Sequence, residues 1–380
     1  MANETLAKAK EAKNDEFYTQ YYDIEREVEA YLEYDPDVFR GKTVLLPCDD
    51  PEWSNFTLYF AQNFESLGLK KLISTSYAPE SKKYKYPIQL TLFETGAPQY
   101  DAVKAQTNGK IFVLTHDKTG DGHIDHDDLE WSYLEGDGDF RSEEVTKLRD
   151  EADIIVTNPP FSLFREFLAW IMEADKKFIL IANKNCISYK EVFPLIMDNK
   201  IWVGKTPMSK DILFEIPQAL VQSFVQNGKE GSKYKTVDGK VFGRSTSIWL
   251  TNIDHGRRHE PLQLMTMEDN LKYSHHKEIK GKESYSRYEN YDAIDVAYTD
   301  AIPSDYNGIM GVPISFIDKY CPEQFEILGI TDRGNEYGIK TKEFSQEDSP
   351  LYNDLNRRGA IMIDGKLKST YARILIRKKQ

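Results

Sequence analysis

The sequence predicts an α/β fold built on a mostly parallel sheet with helices on both of its faces. Through roughly the first 200 residues, short runs rich in Ile, Val and Leu alternate with segments whose apolar residues recur at helical spacing. Parallel strands that are buried on both faces have this pattern. After about residue 205, Gly, Lys and Ser become common and helical periodicity fades. We therefore predict a core over 1–204, a mixed α+β region over 205–290 and a C-terminal region over 291–380 that completes the fold.

Each predicted strand is a short apolar run followed by a turn-forming segment. The predicted strands are 42–48, 71–77, 110–115, 153–157, 177–182 and 247–251. A Pro- and Lys-rich stretch separates 71–77 from 110–115, and we predict that it forms a hairpin excursion.

The predicted helices lie between these strands. They cover 55–67, 163–174 and 189–199, and the polar segment 4–13 at the start of the chain is also predicted to be helical. The repeated apolar side chains of 55–67 are Phe56, Tyr59, Phe60, Phe64 and Leu67, and Gly68 ends this helix. Sheets of this kind bind ligands at the carboxyl ends of their strands.

The composition indicates a soluble protein. The 380 residues are 40% hydrophobic and 29% charged. No apolar run approaches the roughly 20 residues that cross a bilayer, and the N-terminus lacks the pattern of a secretory signal. We expect a cytoplasmic monomer or weak dimer with no obligate protein partner. Cys48, Cys186 and Cys321 form no metal-type pair and are predicted to be reduced thiols.

The charge is unevenly distributed. A net charge of −13, treated as uniform, argues against a nucleic acid partner, because phosphate contacts need Lys and Arg. Residues 205–290, however, contain 14 Lys and Arg against 11 Asp and Glu, a net charge of +3, and the remainder contains 35 against 51, or −16. A basic segment on an acidic protein suits an enzyme that contacts DNA with one face. Taken alone, the excess is more simply explained as a solvated surface.

The segment Asn158-Pro159-Pro160-Phe161 carries the strongest chemical signal. An adenine amine is a poor nucleophile because its lone pair is delocalised into the ring. Asn158 and the Pro159 carbonyl can accept the two amine hydrogens and turn the lone pair towards an electrophilic methyl donor, while the prolines stiffen the backbone. Phe161 can stack on the base. The segment alone also fits a proline turn followed by a core Phe, and it does not distinguish DNA from RNA or a glutamine side chain as the substrate.

Three further segments are candidates for binding the methyl donor. Residues 15–19 offer aromatic rings and a hydroxyl, and residues 48–56 form a strand-to-helix turn with backbone donors. In residues 136–140 a carboxylate can accept from the donor's adenine, glycines permit close approach and Phe140 can cover the ring. Each segment alone could be a helix cap, a loop or an acidic turn. Their order along the predicted sheet supports the assignment of all three segments to donor binding.

The sequence resembles the EcoRI-type adenine-specific DNA modification methylases over nearly the whole chain. The matching segments are Asp15-Glu-Phe-Tyr-Thr-Gln-Tyr21, Cys48-Asp-Asp-Pro51 with Ser54-Asn55-Phe56, Gly136-Asp-Gly-Asp-Phe-Arg-Ser142, Val156-Thr-Asn-Pro-Pro-Phe-Ser162, Tyr189-Lys-Glu-Val-Phe193, Trp249-Leu-Thr-Asn252 and Tyr306-Asn-Gly-Ile-Met-Gly-Val-Pro313. Residues 78–130 and 205–245 do not match the family pattern, and the turn at 48–56 lacks the Gly-x-Gly of most methyltransferases.

The resemblance implies a Rossmann-like methyltransferase core, S-adenosylmethionine as the cofactor, duplex DNA as the substrate, base flipping and a target-recognition region over 205–290. The expected catalytic residues are Asn158, Pro159, Pro160 and Phe161. The expected cofactor-binding residues are Phe17, Tyr18, Thr19, Cys48, Asp49, Asp50, Pro51, Asn55, Ser76, Asp139 and Phe140. Because residues 205–245 depart from the family, no recognition sequence is carried over.

Residues 117–128 follow a relaxed calcium-loop pattern. The candidate ligands are Asp117, Thr119, Asp121, His123, Asp125 and Asp128, with Gly122 at the sixth position. Asp128 replaces the usual Glu, so the affinity would be reduced. A solvated acidic hairpin tip fits the same residues. If calcium binds, we expect a structural role, because methyl transfer from a sulfonium needs no metal.

Two other functions remain open at this point. The chain could methylate RNA or a protein amide, or it could be a non-catalytic DNA-binding relative. The intact Asn158-Pro159-Pro160-Phe161 segment argues against the second of these, because a non-catalytic protein has no need of those acceptors.

Overall fold

A computed structural model describes residues 18–49, 54–78, 98–118, 120, 124, 128, 130–216, 221–222, 225–226, 228–332 and 337–379. The predicted helix 4–13 lies outside the described residues. The chain forms two compact units. The first contains Met1–Lys184 and Gly204–Asp254, and the second contains Asn185–Val203 and His255–Gln380.

The described strands, in chain order, are β1 (Tyr18–Thr19), β2 (Thr43–Leu46), β3 (Lys71–Thr75), β4 (Lys110–Leu114), β5 (Glu130–Tyr133), β6 (Ile154–Thr157), β7 (Lys177–Asn183), β8 (Trp202–Val203), β9 (Ile212–Glu215), β10 (Tyr234–Val237), β11 (Lys240–Ser245), β12 (Ser247–Thr251), β13 (Ala293–Asp295), β14 (Ile309–Pro313), β15 (Phe325–Ile330), β16 (Ala360–Ile363), β17 (Lys366–Ser369) and β18 (Arg373–Lys378). The described α-helices are α1 (Tyr21–Tyr34), α2 (Asn55–Gln62), α3 (Lys104–Thr107), α4 (Glu143–Glu151), α5 (Phe164–Glu173), α6 (Phe193–Met197), α7 (Met267–Tyr273) and α8 (Tyr352–Arg357).

The main sheet of the first unit has the strand order β5-β4-β3-β2-β6-β7-β12. The four central strands, β3, β2, β6 and β7, are parallel, as predicted. The outer strands β4, β5 and β12 run antiparallel to their neighbours, so the sheet is parallel at its centre, as predicted, and mixed at its edges. The direction of β4 follows from its connection. The chain leaves β3 and returns beside the same end, where the Ser76 amide donates to the Lys110 carbonyl at 2.9 Å.

The core of the first unit explains why these segments are strands and helices. Every residue of β2 and β6 is buried, which is typical of strands covered on both faces. On one face, Ile24 and Val28 of α1 and Phe60 of α2 belong to a single apolar cluster with sheet residues such as Val156. Helices α4 and α5 contact strands β2 and β7. The predicted helices 55–67 and 163–174 correspond to α2 and α5.

A second, antiparallel sheet in the first unit has the order β1-β9-β11-β10. It was not predicted. Residues 205–254 of the predicted recognition region belong to the first unit, and residues 255–290 belong to the second. The assignment of 205–290 to DNA recognition is a functional prediction that this division does not test.

The second unit contains a four-stranded sheet in the order β13-β14-β18-β15 and the hairpin β16–β17. The predicted helix 189–199 is shorter than expected, because α6 covers only Phe193–Met197 and follows a 3-10 segment, Lys184–Ser188. None of the helices in the described part of the chain is long and apolar enough to cross a membrane.

Candidate active site

The predicted site segments meet at one edge of the main sheet. Cys48 and Asp49 follow β2, Ser76 follows β3, and Asn158 follows β6. Because β2, β3 and β6 are parallel neighbours, their carboxyl ends lie side by side. This is the edge at which open α/β sheets bind ligands.

Asp49 joins three elements at this edge. Its side chain is buried, with 6% of the residue exposed. One carboxylate oxygen accepts a hydrogen bond of 2.7 Å from Ser54, the N-cap of α2, and the other accepts one of 2.6 Å from the Thr157 hydroxyl at the end of β6. The Asp49 carbonyl accepts from the Ser74 hydroxyl of β3 at 2.8 Å. A single carboxylate therefore fixes the end of β2 against the start of α2 and against the strand that precedes Asn158.

The Asn158-Pro159-Pro160-Phe161 segment leaves β6 in an extended turn. Pro159 is buried, and the other three residues are half-buried. The Leu163 amide donates to the Pro160 carbonyl at 2.9 Å, which closes the 3-10 turn that leads into α5. Part of Phe161 packs against the apolar core. The segment is thus held by β6 on one side and by the 3-10 turn on the other. Asn158, Pro160 and Phe161 remain partly accessible to a ligand.

The loop of residues 136–140 lies directly against the end of β3. The Ala78 amide donates to the Asp137 carbonyl at 2.7 Å. Gly138 has a positive φ of 83°, and a Cβ atom there would lie 2.2 Å from the Ser76 carbonyl oxygen. Only glycine fits this contact. The glycines were expected to allow a close approach to the methyl donor. The close contact in the structure is between Gly138 and the Ser76 carbonyl.

Asp139 and Phe140 have well-defined partners. The Asp139 carboxylate pairs with Arg141 at 2.6 Å, and hydrogen bonds from Arg141 lower the pKa of this carboxyl group. Asp139 is therefore ionised at neutral pH. The Phe140 ring is 5% exposed and packs edge-on against Phe167 and Trp170, with centroid distances of 5.0 and 5.6 Å. This packing makes Phe140 a core residue, and its contact with the donor stays a prediction.

The first candidate segment reaches the same unit through β1. The Asn55 side chain donates to the Thr19 carbonyl at 2.8 Å, which ties β1 to the start of α2. Thr19 is 3% exposed, and its hydroxyl oxygen has no hydrogen-bond partner among the described residues. Of the remaining predicted donor contacts, Tyr18 is described only as part of β1, and Phe17, Asp50 and Pro51 lie outside the described residues.

A family model described as "Adenine-specific methyltransferase EcoRI" matches residues 5–379 of the chain. The chain belongs to this family. This finding confirms the resemblance seen in the sequence.

Three curated relatives resemble this EcoRI-family methyltransferase over most of their length. The chain is 42% identical over 327 residues to the Type II methyltransferase M.EcoRI of Escherichia coli, covering 86% of this chain and 89% of that protein. It is 30% identical over 322 residues to the Type II methyltransferase M.MpnI of Mycoplasma pneumoniae, covering 84% of each chain. It is 31% identical over 378 residues to the Type II methyltransferase M.MgeORF184P of Mycoplasma genitalium, covering 98% of each chain. No solved structure matches the chain significantly.

Sequence reasoning about this EcoRI-family methyltransferase missed two residues at the edge of the sheet. Thr157 was treated only as the end of a strand, although its hydroxyl holds Asp49. Tyr77 follows β3, and burial together with the nearby Asp137 and Asp139 carboxylates raises the pKa of its hydroxyl. A polar residue at the end of a buried strand was the available signal in both cases.

The cysteines of this family member are free thiols, as predicted. Burial, with a smaller contribution from the Asp49 carboxylate, raises the pKa of the Cys48 thiol well above its ordinary value. The thiolate is the reactive form of cysteine, so Cys48 is not suited to act as a nucleophile. Its place beside Asp49 is consistent with packing against a ligand.

The calcium-loop prediction gains no support. Thr119, Asp121, His123 and Asp125 lie outside the described residues. Asp117 accepts a hydrogen bond from the Gly120 amide at 2.6 Å, and Asp128, which is fully buried, accepts one from the Lys118 amide at 2.7 Å. Both carboxylates therefore accept hydrogen bonds from backbone amides, and we do not carry the calcium site further.

Proposed function

We propose that this methyltransferase transfers a methyl group from S-adenosylmethionine to the N6 amine of an adenine in duplex DNA. The observation that carries the proposal is the position of Asn158-Pro159-Pro160-Phe161. It directly follows Thr157, whose hydroxyl donates to Asp49 of the proposed donor-binding turn. The family match and the Type II methyltransferase names of the relatives support the same class of reaction.

The residues at this edge fit S-adenosylmethionine. The buried Thr19 hydroxyl offers a donor and an acceptor to a polar ligand group. The loop of residues 136–140 lies close to Ser76 because Gly138 has no side chain, and the ionised Asp139 can accept from an amine of the ligand. When bound, S-adenosylmethionine supplies a methyl group that its sulfonium makes electrophilic.

Asn158 and Pro159 orient the adenine amine for methyl transfer. The Asn158 side-chain oxygen accepts one amine hydrogen and the Pro159 carbonyl accepts the other, so the nitrogen lone pair is drawn out of conjugation with the ring. Proline at 159 and 160 restricts the backbone, so that both acceptors are held in position before the base arrives. No side chain needs to act as a covalent nucleophile.

Phe161 holds the base outside the duplex. Chemistry on an adenine in DNA requires the base to leave the helical stack. Phe161 is half-buried, with part of its ring against the core, so its position is fixed while a face remains for stacking. Stacking of a base on an aromatic side chain contributes about 1–3 kcal/mol, which offsets part of the cost of extrusion.

The reaction is tested by incubating the purified protein with labelled S-adenosylmethionine and unmethylated genomic DNA. Single-molecule sequencing then locates the modified bases. We expect N6-methyladenine at one repeated sequence. Label in RNA or protein but not in DNA would overturn the assignment of DNA as the substrate. Donor binding with no transfer to any of these would overturn the proposed catalysis.

The role of Asn158 is tested by Asn158→Ala. Because this change removes one of two preorganised acceptors, we expect kcat to fall by about 100-fold or more while S-adenosylmethionine binds as in the wild type. The matched variant Asn158→Asp keeps an acceptor oxygen at the same position and should retain more turnover than Asn158→Ala. Single-turnover kinetics and calorimetric donor binding measure both effects. Unchanged turnover in Asn158→Ala would contradict the mechanism.

A further inference from the structure

Strands β10 and β11 form an exposed two-stranded ribbon, residues 233–244. The strands are antiparallel and are joined by Asp238 and Gly239. The φ angles of these two residues are positive, 48° for Asp238 and 78° for Gly239. A two-residue turn of this kind suits the twist of the flanking strands. The ribbon therefore has a defined register and two distinct faces.

The basic residues of the ribbon lie on one face. In an antiparallel pair, directly opposed residues share a face, and residues two apart along a strand do the same. Lys235 opposes Phe242, and Val237 opposes Lys240. By the same alternation, Lys233 and Arg244 belong to this face, which we call the basic face. The opposite face contains Tyr234, Thr236, Val241 and Gly243, none of which is charged.

This ribbon accounts for the local positive charge of the chain. Residues 233–244 contain four Lys and Arg against one Asp, a net charge of +3, which equals the net charge of residues 205–290. Lys233, Lys235, Lys240 and Arg244 are all exposed. Arg244 forms an ion pair of 2.6 Å with Asp211, so we take Lys235 and Lys240 as the main source of the positive field. On a protein with a net charge of −13, this face attracts a polyanion.

The ribbon belongs to the same sheet as a residue of the proposed donor site. β11 pairs with β9, and β9 pairs with β1. Thr19 opposes Phe214 and Phe214 opposes Gly243, so Thr19 belongs to the face of this sheet opposite the basic face. Three strand spacings of about 4.8 Å separate β10 from β1, a distance of roughly 14 Å. That distance corresponds to about four base pairs of duplex DNA along its axis.

We infer that the basic face of the β10–β11 ribbon binds the backbone of the duplex DNA substrate. Lysines on one face at the edge of a sheet can contact the phosphates of a duplex, which position a protein on DNA without reading its sequence. The inference rests on the proposed function, because it takes duplex DNA as the substrate. It assigns to the ribbon the contacts that hold the duplex while the base is in the site.

The test compares two matched double variants. Lys235→Gln with Lys240→Gln removes two charges from the ribbon. Lys366→Gln with Lys368→Gln removes two charges from another exposed hairpin with an Asp-Gly turn, β16–β17. DNA affinity is measured by fluorescence anisotropy at several salt concentrations. Each lost phosphate contact lowers the slope of log affinity against log salt by about 0.9.

We expect the ribbon variant to bind DNA more weakly, with a slope lower by up to about 1.8, and the control variant to bind as the wild type does. Calorimetric binding of S-adenosylmethionine should be unchanged in both, which shows that both fold. Equal slopes in the two variants would overturn the inference. Equally tight, equally ribbon-dependent binding of duplex RNA would also overturn it.

The inference and the proposed function fail in different ways. If the wild type makes N6-methyladenine in DNA but the ribbon variant keeps its salt slope, only the ribbon assignment fails. If the wild type methylates no adenine in DNA while its DNA binding depends on Lys235 and Lys240, the proposed reaction fails and the ribbon remains a DNA contact.

Discussion

Two glycines in the loop of residues 136–140 show how single residues form the site. Gly136 has no atom within 4 Å of where its Cβ would lie. Gly138 has a left-handed φ, and its Cβ would overlap the Ser76 carbonyl. The two positions look alike in the sequence, but only one of them is constrained by the strand end against which the loop packs.

Gly138→Ala should therefore damage the proposed donor site. The backbone carbonyl of Ser76 cannot move without disturbing β3, and the left-handed backbone adds strain for any residue with a Cβ. We expect S-adenosylmethionine to bind at least about 10-fold more weakly, equivalent to about 1.4 kcal/mol. Isothermal titration calorimetry measures the change. Gly136→Ala is the control and should bind the donor as the wild type does; similar losses in both variants would refute the role of this contact.

At the scale of elements, helix α1 is fixed by a buried acid. Glu27 is fully buried, and its oxygens accept hydrogen bonds from the Tyr31 hydroxyl, the Lys205 amide, and the amide and hydroxyl of Thr206, at 2.7–2.9 Å. The missing side chain of Gly204 makes room for this carboxylate. Because α1 begins two residues after Thr19, this anchor also sets the position of β1.

Glu27→Gln should destabilise the first unit. An amide nitrogen would face donors that now meet an oxygen, and an unsatisfied buried group costs about 1–3 kcal/mol. We expect the free energy of unfolding in urea to fall by that amount and donor binding to weaken. Glu29→Gln, an exposed neighbour on the same helix, should change neither quantity. If both variants were equally stable, Glu27 would not be the anchor.

At the scale of the whole molecule, the proposed donor site lies within the first unit alone. The segments that contribute to it, β1, the ends of β2, β3 and β6, and the loop of residues 136–140, all belong to that unit. A ligand that binds only the folded state stabilises it by mass action. Donor binding should therefore raise the melting temperature whether or not the protein turns over.

S-adenosylmethionine should raise the melting temperature of the protein. At a donor concentration 100 times the dissociation constant, the stabilisation is about 2.7 kcal/mol. We expect Asn158→Ala to keep this shift and Gly138→Ala to lose about half of it or more, because only the second residue belongs to the proposed donor site. Differential scanning calorimetry with and without the donor measures the shift. If saturating donor did not shift the melting temperature of the wild type, the assignment of the donor site would be wrong.

Much of the first unit was predictable because burial leaves a local pattern. The strands at 42–48, 71–77, 153–157 and 177–182 and the helix after Asn158 were predicted from runs and spacings of apolar residues. Helix α1 was missed although Ile24, Val28 and Tyr31 recur at helical spacing, since its many charged residues obscure the pattern. Helix α4, which carries only Val145 and Arg149 as buried residues, leaves almost no such pattern.

The sequence by itself determined the order of strands and helices in the core and the presence of the site segments at strand ends. Only the tertiary structure decided which of these segments meet. It set β4 antiparallel to β3, joined Asp49 to Thr157 across 108 residues, packed Phe140 into the core and placed the basic ribbon in one sheet with β1. The reason is physical. Periodicity reports whether a residue is buried, whereas its partner depends on long-range pairing that neighbouring residues do not encode.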